Sequence, residues 1–136
     1  MQIPITNKDF DDDKSTDKTI KITVCRNNSI FVSDIYGKSA RKWFGLDYLE
    51  KSSGKVNILI PEGTTSINTS FLIGMLGKSV EKLGMKGFED KYNFLFEDTN
   101  DIIVKKLEAD IEDGKRHLSN IRVSWFQKLM RQFNLY

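Results

Sequence analysis

Residues 55–84, KVNILIPEGTTSINTSFLIGMLGKSVEKLG, constrain the fold of this chain more than any other stretch. Val56, Ile58, Leu59 and Ile60 form a short apolar run containing β-branched residues, which predicts a buried strand. Pro61 has no N–H to give a ladder, and with Glu62 and Gly63 it stops that strand. Thr64, Thr65, Ser66, Asn68, Thr69 and Ser70 follow, and side-chain oxygens of this kind accept from the free N–H groups of a helix's first turn. Phe71, Leu72, Met75, Leu76, Val80 and Leu83 then predict the apolar side of a helix, with Gly74 and Gly77 allowing close packing and Gly84 as its cap. Small hydroxyls thus stand at a helix N-terminus just past the carboxyl end of a strand. In open α/β sheets, that is where function gathers.

Residues 66–77, SINTSFLIGMLG, resemble the signature of the STAS-like family of unknown function, a small-residue, Ser and Phe pattern ahead of an apolar helix. They also align without a gap on the Asp-Ser-Ser-Gly-Leu motif of the STAS anti-sigma-factor antagonists, which falls on Asn68, Thr69, Ser70, Phe71 and Leu72. Thr69 takes the place of the phosphorylated Ser. The resemblance covers residues 18–112; Ile60-Pro61-Glu62 and Ile73-Gly74 stand where the family often carries acidic residues. It implies a single α/β domain, a mixed β-sheet with flanking helices, that works by binding and carries no catalytic residue and no cofactor. It further implies a protein partner, such as a kinase-like ATPase, docking around Glu62, Thr65, Asn68 and Phe71. Phosphorylation of Thr69 or Ser70 would be the switch.

The rest of the chain is consistent with α/β order. Residues 1–17 divide into a short edge strand at Ile3, Pro4 and Ile5 and an acidic arm, Asp9 to Lys14, whose spacing lacks the Gly and terminal Glu of a calcium loop. In residues 19–26, Ile20, Ile22 and Val24 alternate with Lys21, Thr23 and Cys25, and Asn27-Asn28-Ser29 predicts a turn into a second strand at residues 30–35, a hairpin. Gly37-Lys38-Ser39 reads as the start of a helix through Leu49, closed by Ser52-Ser53-Gly54. It is no phosphate loop, because Val32 stands where that loop needs Gly. Residues 86–91 are expected as a loop and Tyr92 to Phe96 as a strand. Asp98-Thr99-Asn100 caps a helix with Ile102, Ile103, Leu107 and Ile111 inward.

Several chemistries are excluded early. A single Cys25 allows no internal disulfide and suits a reducing, cytoplasmic setting; within its strand-like run it reads as an inert core thiol. A single His117 leaves neither a histidine metal site nor a Ser-His-Asp triad. No apolar run approaches a membrane span, and the first residues carry no signal-peptide pattern. An enzyme built on carboxylates, Glu62 with Asp47 or Glu50, would need groups that the spacing does not bring together.

Residues 115–136 differ in chemistry from the core at residues 18–114, for they contain no acidic residue. They predict a basic amphipathic C-terminal helix: Leu118, Ile121, Trp125, Phe126, Leu129, Met130 and Phe133 on one arc, Lys128 and Arg131 on the other. That apolar arc packs on the domain's own sheet or meets a partner, including a second copy in a homodimer, through Trp125, Phe126 and Met130. The alternative function is an anion or nucleic-acid binder using Arg122, Lys128 and Arg131, against which the net charge of +2 weighs.

Overall fold

Strand β3 (Val56–Ile60) forms where the apolar run predicts it, and the sheet is built on it. A computed structural model of the protein describes residues 17–132, with side chains described as far as Asn120. The other elements, in chain order, are β1 (Lys18–Lys21), β2 (Ile30–Phe31), α1 (Asp34–Trp43), α2 (Leu46–Lys51), then β3 itself. After it come β4 (Ser66–Ile67), α3 (Thr69–Lys91), β5 (Tyr92–Phe96) and α4 (Asp101–Gln132). The protein is an α/β domain.

β1 and β5 flank β3, both parallel to it, with Lys18 opposite Val56 and Val56 opposite Tyr92. Val56, Ile58 and Ile60 are buried on the face that carries the helices. On the other face Asn57 accepts from Asn93 Nδ2 (3.3 Å) and donates to Thr19 Oγ1 (3.3 Å), so a polar row crosses all three strands. β2 and β4 form a second parallel ladder, Ile30 opposite Ser66 and Phe31 opposite Ile67. The expected hairpin of residues 19–35 does not form. The antiparallel contact there is limited to the single Asn27–Ile30 bridge, and each strand reaches a partner far along the chain. The described strands therefore pair in parallel, where a mixed sheet was expected.

Helix boundaries also depart from the sequence reading. Ser33 (φ 84°) caps α1, its Oγ accepting from Ile35 N at 3.2 Å, so the helix begins at Asp34 and residues 32–35 are not strand. Gly45 at φ 63° then separates α1 from α2, which the sequence had suggested as one helix. Gly84 does leave the helical conformation (φ 76°), but the chain resumes a helix at once, and residues 86–91 are helical and not a loop. Asn100 caps α4 as expected, accepting from Ile102 and Ile103 N. Leu107 and Ile111 are buried, whereas Ile102 is 79% exposed: it lies in the first turn and points away from the core. α4 runs unbroken across residues 114 and 115, where a boundary was expected.

Two glycines set the geometry of the helical layer. A Cβ on Gly37 would lie 2.8 Å from Met75 N, and one on Gly74 would lie 2.8 Å from Asp34 Cα. The backbones of α1 and α3 therefore touch at this crossing. Phe31, Phe71, Met75 and Leu76 fill the core beside it.

One turn along α1 from that crossing, a buried polar network ties α1, α2, α3 and β5 together. Arg41, only 6% exposed, donates to Met75 O (2.9 Å), Ser79 Oγ (2.8 Å) and Asp47 Oδ1 (2.7 Å). Tyr92 donates to Glu50 Oε2 (2.9 Å), and Ser79 Oγ donates to Tyr92 Oη (3.2 Å). Glu50 Oε1 makes no hydrogen bond among the described residues; it is held by charge, with Lys82 Nζ at 3.4 Å and Arg41 at 3.8 Å. The Arg41 guanidinium beside Asp47 holds that carboxyl below its usual range.

Burial pushes the Tyr92 phenol well above its ordinary pKa, and the Glu50 carboxylate adds to the shift. Because the folded state favours the neutral phenol, its contribution is complete below about pH 10, the ordinary tyrosine value. It is lost as the pH rises further, since the unfolded chain then releases the proton first. Urea denaturation of the wild type should lose stability above about pH 10 more steeply than Tyr92→Phe does. Parallel pH profiles would mean that the phenol does not report the fold.

Candidate functional site

The heads of α1 and α3 lie side by side at the carboxyl end of the sheet. The β2–β4 ladder places them there: Asn68 N donates to Phe31 O (2.8 Å) and Thr65 N to Ser29 O (2.8 Å). Ser33 N then donates to Ser70 Oγ at 3.1 Å, so one hydroxyl bridges the two helix starts. Asn68 occupies the N-cap position of α3 in extended conformation, yet its side chain makes no cap hydrogen bond. The hydroxyls of Thr69 and Ser70 are accessible too, Ser70 exposed and Thr69 half-buried.

Two aspartates stand beside these residues, Asp110 paired with Lys106 and Asp113 with Arg116. A shallow cleft of about 370 Å³ is lined by Ile67, Asn68, Thr69, Ser70, Asp110 and Asp113, the last two from α4. Asp110 accepts from Ile67 N (3.0 Å) and pairs with Lys106 (2.8 Å). The N-terminal end of α3 supplies partial positive charge, and the two aspartates oppose it. The arrangement suits neutral hydroxyls, and a doubly charged group placed on one of them would change the surface sharply.

The remaining residues expected here divide by location. Thr65 is exposed and donates to Ser29 Oγ (3.0 Å). Glu62 is exposed at the end of β3; its N donates to Glu97 Oε1 (2.8 Å), and its O accepts from Arg26 (3.0 Å). That backbone bond, with Lys21, holds the Glu97 carboxyl below the ordinary range. Phe71 is a correction. It is fully buried, its ring 5.0 Å from that of Phe31, and supports the surface from beneath. As the first residue of the helix's apolar stripe, it had to turn inward.

Sequence reasoning passed over Ser33, Ile35 and Tyr36. Ile35 (67% exposed) and Tyr36 (48% exposed) lie in the first turn of α1, beside the Ser33–Ser70 bridge. The dipeptide Ser33-Asp34, a cap residue followed by an acid, was the signal for that helix start. Asp47 and Glu50 do come together around Arg41, but Glu62 is engaged elsewhere, with Glu97 and Arg26. Cys25 is half-buried outside β1 at φ 69°, and desolvation raises its thiol pKa, which keeps it protonated. Ile3, Pro4, Ile5 and the acidic arm lie outside the described residues, as do the side chains of Arg122, Trp125, Phe126, Lys128, Met130 and Arg131.

Fold and surface together define an α/β domain with accessible hydroxyls at two adjoining helix starts. No protein-family model, no curated protein and no solved structure matches the chain. Among the described residues no helix is long and apolar enough to cross a membrane.

Proposed function

We propose that this protein is a non-enzymatic, cytoplasmic regulatory module of STAS-like type, which binds a partner protein through the adjoining heads of α1 and α3. The observation that carries the reading is the Ser33–Ser70 bridge, an accessible hydroxyl tying the two helix starts together with Ile35 and Tyr36 exposed beside it. Exposed apolar and aromatic side chains next to small polar groups are what a protein interface uses.

The switch is phosphorylation of Thr69 or Ser70 by a partner kinase. The γ-phosphoryl group of ATP passes to Oγ1 or Oγ, ADP leaves, and the hydroxyl proton is released. On Ser70 the oxygen becomes an ester and a poor acceptor for Ser33 N. At either residue the phosphate brings about two negative charges to a surface already carrying Asp110 and Asp113. The complex is thereby weakened while the core beneath is untouched.

The test is to incubate the full chain with ATP and a kinase-like ATPase, one from its own gene neighbourhood if one is encoded there, and map the phosphate by mass spectrometry. Modification of Thr69 or Ser70, with release of the partner, is the expected result. Thr69→Asp or Ser70→Asp should reproduce the release. A phosphate found only elsewhere, or none, removes the switch; retention of the partner by Ile35→Asp and Tyr36→Asp removes the docking surface.

A further inference from the structure

The helical layer contains a second surface, directed away from the heads of α1 and α3. Beyond the Gly37–Gly74 crossing the two helices leave a groove of about 630 Å³, which continues between α2 and α3 as a further space of about 450 Å³. Two features keep it open. Gly77 has no side chain to fill its floor, and Arg41 turns inward to Ser79 and Met75 O.

The charge lining this groove is lopsided. Lys38 and Lys42 rise from α1, Lys51 from α2, and Lys78 and Lys82 from α3, with Arg41 beneath them; Asp47 and Glu81 share the lining, Arg41 and Lys82 also meet Glu50, and Lys38 meets Asp34. The whole chain carries only +2, so the groove concentrates positive charge that the rest of the sequence does not have. On α1 and on α3 the lysines recur four positions apart, Lys38 with Lys42 and Lys78 with Lys82, so each bank carries two of them one helical turn apart. From Gly74 to Lys82 the floor is about 12 Å long at the rise of an α-helix. That is room for roughly four residues of extended chain. The floor offers Gly74, Gly77 and Ile73, with no aromatic ring for a nucleobase to stack on.

We infer that this groove binds an extended acidic segment of a partner protein, one in which carboxylates alternate with small apolar side chains. The carboxylates meet the lysines of the banks, and the small side chains rest on the glycine floor. This binding does not depend on the hydroxyl surface, and loss of one leaves the other.

The probe is a fluorescein-labelled peptide of alternating glutamate and alanine, titrated with the full-length protein at low salt and followed by anisotropy. Saturable binding that weakens as salt is added is expected. Lys42→Glu or Lys78→Glu should weaken it about tenfold, equivalent to about 1.4 kcal/mol. Lys105→Glu, the same charge change on the exposed side of α4, should alter it less than about twofold. Gly77→Leu should block it by filling the floor. Absence of saturable binding overturns the proposal, as does an equal loss in Lys105→Glu. Tighter binding of a single-stranded oligonucleotide would make it a nucleic-acid groove, and displacement of the peptide by inorganic phosphate a simple anion site; either result also overturns it.

Discussion

Replacing Gly74 with alanine should destabilise the domain by about 3 kcal/mol or more. The added Cβ would collide with the carbonyl oxygen of Asp34 and stand 2.8 Å from its Cα, and both are backbone atoms at a capped helix start. No rotamer change relieves such a contact, so α1 must lift away from α3 and uncover part of the core between Phe31, Phe71 and Met75. Gly37→Ala should behave alike, since its Cβ meets Phe71 O and Met75 N. Gly77→Ala is the control. Its nearest neighbour would be Ile73 Cγ2 at an ordinary 3.9 Å, and alanine is the better helix former by about 1 kcal/mol. Urea midpoints at constant slope give the comparison. Equal stability of Gly74→Ala and Gly77→Ala would show that the helices do not touch as described.

The second large effect is expected at Arg41. Arg41→Met should cost about 3–5 kcal/mol, the range for removing one partner of a buried ion pair. The damage comes from what is left behind, chiefly the Glu50 carboxylate, whose side chain is 4% exposed and whose remaining cation is Lys82 at 3.4 Å. Ser79 Oγ and Met75 O each lose a donor as well. Adding Glu50→Gln removes the stranded charge, and the double variant should be more stable than Arg41→Met alone. A double-mutant cycle with a coupling of about 1–3 kcal/mol is the expected reading. Strict additivity of the two changes would mean that Arg41 and Glu50 do not sense one another.

The sequence shows the middle of this molecule better than its periphery. β3, the head of α3, β5 and the Asn100 cap all form where residue chemistry puts them, because each depends on neighbours in the chain. The pairing of β1 and β2 depends on residues far away, and Ile20, Ile22 and Val24 alternate equally well in a hairpin or a parallel ladder. Nor does the alternation say that Ser33 will take a positive φ and end the strand early. The surface at Thr69 and Ser70 was visible as a row of hydroxyls, but its contact with α1 through Ser33 is tertiary. Arg41 left a trace: it lies four positions after Gly37 on the buried stripe of α1, a charge where an apolar residue is expected.

Parallel pairing has a consequence for how the chain acquires its fold. Thr19 meets Asn57 across 38 positions, and Asn57 meets Asn93 across another 36. Without a hairpin to nucleate on, each ladder must close a long loop before it gains anything, and such topologies fold more slowly than those with local contacts. On the ribosome, the central strand stays without one of its neighbours until the segment ending at Phe96 has emerged. Until then one edge of the central strand keeps its backbone groups unpaired.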